Sequence, residues 1–360
     1  MATIGLLRHL LALLGCTVSL YAGGCNPSTA SAQGLTVPDA VKTDIYSIEL
    51  RQYVAFLHDP VEARFLPIWI GKCEAMAIAR KLYNQDFPRP LTHDLFQSVL
   101  EYTGIHITSI VVDQLRPLAQ DTNTFTYFAI LTLRKADGTS IQIDSRPSDA
   151  MALAVRMDLP VYVSRKILDQ NSITKPVPQK PAPRQEALSD LPSAPVQLPR
   201  SSEGERVKTD VYNIGLDSLR QYVAFLHDPV ETRFLPIWIG ECEAMAIARK
   251  LYNQDFPRPL THDLFQSVLE HTGIRITSIL VDVLTDETQN STYRAILTLR
   301  KANGTSIRID SRPSDAMALA VRMDLPVYVS RKILDQDSIP EKDGPQRPPA
   351  PKKEAPQRYY

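Results

Sequence analysis

The stretch "IDSRPSDAMALAVRMDLPVYVSRKILDQ" occupies residues 143–170 and returns, letter for letter, at 309–336. It begins by closing a short strand, "SIQID". "SRPSDAMALAVRM" then reads as a helix, with Pro147 and Ser148 at its start, where a fixed φ and a side-chain acceptor both favour helix entry. "LPVYV" is β-branched and aromatic and reads as a further strand, and "SRKILD" as a final turn.

Working outward, the repetition extends over a whole module. "LRQYVAFLHDPVE" at Leu50 recurs at Leu219, "RFLPIWIG" at Arg64 recurs at Arg233, and "ARKLYNQDFPRPLTHDLFQSVLE" at Ala79 recurs at Ala248. The copies span 42–170 and 208–336, each long enough to bury its own core and too few to make a solenoid. "IYSIELRQYVAFL" and "RFLPIWIG" flank "HDPVEA" as an early hairpin, "CEAMAIARKLYN" is an Ala-rich helix, and "THDLFQSVLEYTG" is a helix stopping at Gly104. "IHITSIVVDQL" and "FTYFAILTLRK" are strands, and "ADGTS" or "ANGTS" a tight hairpin turn. Strands joined by hairpins, with helices in two groups, define an α+β fold: a mainly antiparallel sheet with helices packed on it, made twice.

The flanks differ in kind. Residues 1–32 read as a signal peptide, with an apolar run and a small-x-small site after Ala32. A rival reading makes "YAGGC" a lipoprotein box, with a leader to residue 24 and a lipid anchor on Cys25. Either way the chain is expected to be exported: periplasmic, secreted or envelope-anchored. Residues 171–207 form a proline-rich linker, and 337–360 a proline- and lysine-rich tail expected to be disordered. Cys73 and Cys242 sit at equivalent places in the two copies. No disulfide framework is indicated, and each reads as a small apolar side chain near a helix start.

The 360-residue chain has a formal net charge of zero. A polyanionic partner would therefore have to be held by a local patch. No Walker loop, GxGxxG after a strand, HExxH, GxSxG or CxxC occurs, so hydride transfer with a Rossmann cofactor, zinc proteolysis and serine hydrolysis have no support.

Three polar clusters fall at helix starts. In "IDSRPSDA", Ser148 could cap, Asp149 complement the helix dipole and Arg146 pair with Asp144. Alternatively, Arg146 and the helix N-terminus could seat a phosphate. In "RPLTHDL", Thr92 is a candidate N-cap, while His93 and Asp94 could serve as an acid–base or ligand pair. Adjacent helical residues point about 100° apart, which limits how closely that pair can converge. Glu74 and Glu243 stand near a third helix start.

Taken together, "LPIWIG-x-x-EA-x-AIA", "RPLTHDL" and "ID-x-RPSDA-x-ALA-x-R-x-x-x-PVYV", in that order, resemble the bifunctional nuclease domain family over nearly all of each copy. The resemblance implies a small α+β domain that oligomerises, here copy with copy or chain with chain, and acts as a nuclease on RNA and DNA. By motif position it makes Asp144, Arg146, Asp149, His93 and Asp94 catalytic candidates, with counterparts Asp310, Arg312, Asp315, His262 and Asp263. Arg89 and Arg258 would bind substrate phosphate. Glu74, Asp94 and Asp144, with Glu243, Asp263 and Asp310, would hold a divalent cation, magnesium or manganese, that activates water. The alternative from another class is a non-catalytic tandem binding module of the bacterial envelope.

Overall fold

The run "IYSIELRQYVAFL" makes two strands rather than one. β1 (Ala40–Glu49) and β2 (Val54–Asp59) part at a turn where Tyr53 adopts a φ of 54°, and β3 (Arg64–Trp69) follows. The structure, a computed structural model, describes residues 39–85, 89–117, 125–174, 204–254, 256, 258–284 and 292–346. The leader, with both of its readings and Cys25, lies outside the described residues, as does most of the linker.

After β3 come α1 (Lys72–Leu82), α2 (Thr92–Thr103), β4 (His106–Pro117), β5 (Phe125–Arg134), β6 (Ser140–Ser145), α3 (Pro147–Met157), β7 (Val161–Ser164) and α4 (Arg165–Asn171). The C-terminal module repeats them as β8 (Arg206–Leu216), β9 (Tyr222–Asp228), β10 (Arg233–Ile239), α5 (Glu241–Leu251), α6 (Thr261–Thr272), β11 (Arg275–Leu284), β12 (Thr292–Arg300), β13 (Ser306–Ser311), α7 (Pro313–Met323), β14 (Val327–Ser330) and α8 (Arg331–Asp337). The expected tail is ordered at its start. β15 (Ile339–Pro340) pairs with β10, and Asn213 donates to the Gln346 carbonyl, so the chain is held to the module as far as residue 346.

Strand order is β3-β2-β1-β7-β4-β5-β6 in the first sheet, and the second repeats it with β15 added beside β10. Pairing is antiparallel except between β4 and β7, and between β11 and β14. The parallel pair arises because α3 carries the chain from the edge strand β6 back to the middle of the sheet. The fold class is thus α+β, as the hairpin pattern implied.

Alternation along the strands sets the two faces. Ile110 and Val112 of β4, with Ala129, Leu131 and Leu133 of β5, are buried toward the helices. Opposite them, α3 is buried on almost every side, and its alanines let it lie close on the sheet. The helix α2 ends as its sequence requires, at Gly104 with φ 73°, and the β5–β6 hairpin turns at Gly138 with φ 84°.

Both modules belong to one compact unit with a continuous apolar core. Phe96 of α2 and Phe265 of α6, both buried, stack across the boundary with ring centroids 4.3 Å apart and planes 9° from parallel. Cys73 and Cys242 also cross it, in a disulfide that ties the start of α1 to the start of α5. This corrects the reading of those cysteines as unpaired apolar side chains. Equivalent residues of two copies meet wherever a two-fold-like arrangement brings them to its axis, so equivalence of position was a reason to expect pairing.

A reciprocal polar junction between the modules

Pro147 forces the residue before it out of the helical region. Arg146 is accordingly extended, at φ −69° and ψ 142°, and becomes the N-cap of α3. Its Nε donates to Asp149 Oδ2 at 2.7 Å and its Nη2 to Glu74 Oε1 at 2.6 Å. Asp149, in the first turn of α3, is fully buried. Its Oδ1 faces His93 Nε2 at 3.1 Å and accepts from the Thr261 hydroxyl, contributed by the other module, at 2.7 Å.

The second half of the chain reproduces the arrangement with the modules exchanged. Asp315 Oδ1 accepts from Thr92 at 2.7 Å and faces His262 at 3.1 Å, while Arg312 binds Asp315 and Glu243, each at 2.8 Å. An interface in which residue i meets j and j meets i is isologous, the geometry of a symmetric dimer, here within one chain.

A second pair of contacts lies nearer the solvent. Arg258, from the loop before α6, reaches across to donate through Nη2 to both Asp144 oxygens, at 3.0 and 3.1 Å, and to the Ser145 carbonyl. Its Nη1 donates to the Tyr127 carbonyl, and its guanidinium lies 3.6 Å over the Phe128 ring. Arg89 makes the matching contacts with Asp310, the Ser311 carbonyl and the Tyr293 carbonyl. The Asp144 side chain is 50 % exposed and that of Asp310 29 %, so each presents a carboxylate to water beside an anchored arginine.

Burial and pairing pull the ionisations in opposite directions. Burial alone would raise the Asp149 carboxyl, but the charge of Arg146, then the hydrogen bond and charge of His93, hold it well below the usual carboxylate range. Asp315 is held low in the same way by Arg312, His262 and Thr92. Burial would lower Arg146, yet the charges of Asp149 and Glu74 raise it further. For Arg258 burial prevails and lowers its pKa despite the nearby Asp144.

Several sequence readings change here. Arg146 pairs with Asp149 and Glu74, whereas Asp144 is bound by Arg258 of the other module. Thr92 and Thr261 are the first residues of α2 and α6, not their N-caps; their hydroxyls are spent across the boundary. Leu91 is the N-cap of α2, and its amide is satisfied by Asp94 Oδ2 at 2.8 Å. Ser148 does not cap α3. His93 and Asp94 diverge as helix geometry requires: His93 turns to Asp149, and Asp94 to Arg156, whose Nε lies 2.5 Å from Asp94 Oδ1. In the C-terminal module Asp263 caps Leu260 and binds Arg322.

The candidate metal ligands disperse for the same reason. Glu74 is engaged by Arg146, Asp94 by Arg156 and Asp144 by Arg258, and Glu243, Asp263 and Asp310 by Arg312, Arg322 and Arg89. Among the described residues no three His, Cys, Asp or Glu side chains converge on one point, so that donor set does not fit a divalent cation. Sequence reasoning passed over Arg156 and Phe128, and gave Thr92 a capping role in place of its bond across the boundary. An arginine within the apolar run "AMALAVRM" was the available signal for the first, since a buried guanidinium demands a partner. Nothing local marked Phe128 or the crossing of Thr92.

Comparison with known proteins agrees with this architecture. A family model described as the bifunctional nuclease domain matches residues 55–176 and again 224–342. An uncharacterized protein of Mycobacterium tuberculosis is 36 % identical over 120 residues, which is 33 % of this chain and 68 % of that protein. Bifunctional nuclease 2 of Oryza sativa subsp. japonica is 28 % identical over 116 residues, covering 32 % of this chain and 34 % of the rice protein. The family match covers most of the chain in two blocks that coincide with the repeated fold, and the chain therefore belongs to the bifunctional nuclease domain family, of which it carries two copies.

Proposed function

We propose that the chain is a nuclease hydrolysing phosphodiester bonds of RNA or DNA, with its working sites at the two junctions between the modules. The observation that carries this reading is the pairing, at each junction, of a solvent-reaching carboxylate with an anchored arginine from the other module: Asp144 with Arg258, and Asp310 with Arg89. In this reading the carboxylate accepts the proton of the attacking water. The arginine neutralises charge building on the phosphate, and the buried Arg146–Asp149–His93 set fixes the strand end that carries Asp144.

Purified protein on labelled RNA and DNA, with magnesium, manganese or chelator in parallel, tests it. Asp144→Asn with Asp310→Asn is expected to lower cleavage by about 10²-fold or more. Unchanged cleavage in that double variant would reject these carboxylates. A second reading, a non-catalytic envelope module, draws on the saturation of Arg146, Asp149, His93 and Asp94 by protein partners; cleavage absent under every metal condition would favour it. The Cys73–Cys242 bond supports a location outside the reducing cytosol.

A further inference from the structure

The two copies are so alike that each position where they differ in charge can be weighed. Within the described strands, four positions gain an arginine in the C-terminal module. Arg206 stands where the N-terminal module has Ala40, Arg275 where it has His106, Arg294 where it has Phe128, and Arg308 where it has Gln142. Residues 42–170 hold 14 Lys and Arg against 15 Asp and Glu, and 208–336 hold 15 against 16, so each module carries about one negative unit. The arginines are therefore not part of a general drift toward basic charge.

They share one face. Their neighbours Val207, Ile276, Ala295 and Ile309 are buried toward the helices, so by alternation all four arginines point to the opposite side of the sheet. Across that side, Arg206 is opposite Ser330; the Val329–Val281 pair on the helix side sets Ser330 next to Asp282, and Asp282 is opposite Arg294. This sets Arg206 and Arg294 in one cross-strand row. Arg308 is opposite Thr298, and Arg275 is opposite another arginine, Arg300.

Like charges gathered on one face repel one another, and an anion bound among them relieves that repulsion. Burial first, then the charges of Arg206 and Arg294, lower the pKa of Arg308, with Asp282 acting against them. Arg294 Nε is buried without a hydrogen-bond partner. Two residues beyond Arg308 on the same face stands Asp310, the carboxylate of the Arg89 junction. In the N-terminal module the position of Arg294 is instead Phe128, lying under Arg258.

We propose that this face of the C-terminal sheet, through Arg206, Arg275, Arg294 and Arg308, binds the phosphodiester backbone of a nucleic-acid strand and leads it to the Arg89–Asp310 junction. The N-terminal sheet has no such role, and the two sites of the chain are unequal. Its final step rests on the nuclease reading; the docking itself does not.

The test uses the full chain and a fluorescent single-stranded oligonucleotide with phosphorothioate linkages, with affinity measured against salt. Arg206→Ala, Arg294→Phe and Arg308→Gln together restore the residues that the N-terminal module carries in the same fold. The triple variant is expected to lose affinity and to flatten the salt dependence by about 2 in log–log slope, roughly 0.7 for each phosphate no longer neutralised. Ala40→Arg with Gln142→Arg in the N-terminal module leaves this binding intact. Equal affinity and slope in the triple variant overturn the proposal. So does arginine-dependent binding to phosphatidylglycerol vesicles with none to the oligonucleotide. Binding that follows the arginines without cleavage of natural RNA or DNA would uphold the docking face while rejecting the nuclease reading.

Discussion

Asp149 shows how one residue can serve both modules at once. It answers Arg146 and His93 within its own module and the Thr261 hydroxyl from the other, so its charge is worth more folded than unfolded. Its folded pKa lies below the ordinary value of about 3.9. The resulting stabilisation is complete above that ordinary value and is lost as pH falls through the folded one. Urea midpoints measured from pH 6 downward should hold steady to about pH 4 and then drop. Asp149→Asn removes the charge that Arg146 and His93 face in a buried setting, and should cost about 3–5 kcal/mol at neutral pH. With Asp315→Asn added, the acid limb should flatten; an unaltered limb would assign the acid sensitivity to other carboxylates.

The helices α2 and α6 carry the interface, and their sequences disclosed only part of that role. Their extent and the stop at Gly104 were readable, because each depends on residues within a few turns of one another. Likewise the β5–β6 hairpin followed from Asp137 and Gly138 alone. The destination of Thr92 was not readable: its partner, Asp315, is 223 positions away, and a threonine at a helix start looks the same whether it caps or crosses to another module. A separation of 114 positions likewise hid the Arg258–Asp144 contact, and with it the separation of Asp144 from the Arg146 cluster. Phe96 illustrates the limit, since an apolar face shows that a helix packs without showing against what. Phe96→Ala opens a cavity against Phe265 and should destabilise the protein by about 3–5 kcal/mol, read from urea denaturation. If it does, α2 is a structural seam; a loss under about 1 kcal/mol would mean that the stacked rings matter little.

At the scale of the whole molecule, the tandem copies make within one chain the kind of isologous contact that dimers make between chains. Its formation is therefore independent of protein concentration, and the melting temperature should be too, over a hundredfold dilution. Cys73→Ser with Cys242→Ser removes the clamp at the α1–α5 contact and should cost about 2–5 kcal/mol. A reductant should lower the melting temperature of the native chain and leave that of the double variant in place. The bond joins residues 169 apart and encloses the linker, so the polypeptide between them is topologically a ring. A single protease cut inside the ring leaves the two modules covalently joined, and only a cut combined with reduction removes the last covalent tie between them. In an oxidising compartment rich in proteases, a nick between the modules would thus be a silent lesion.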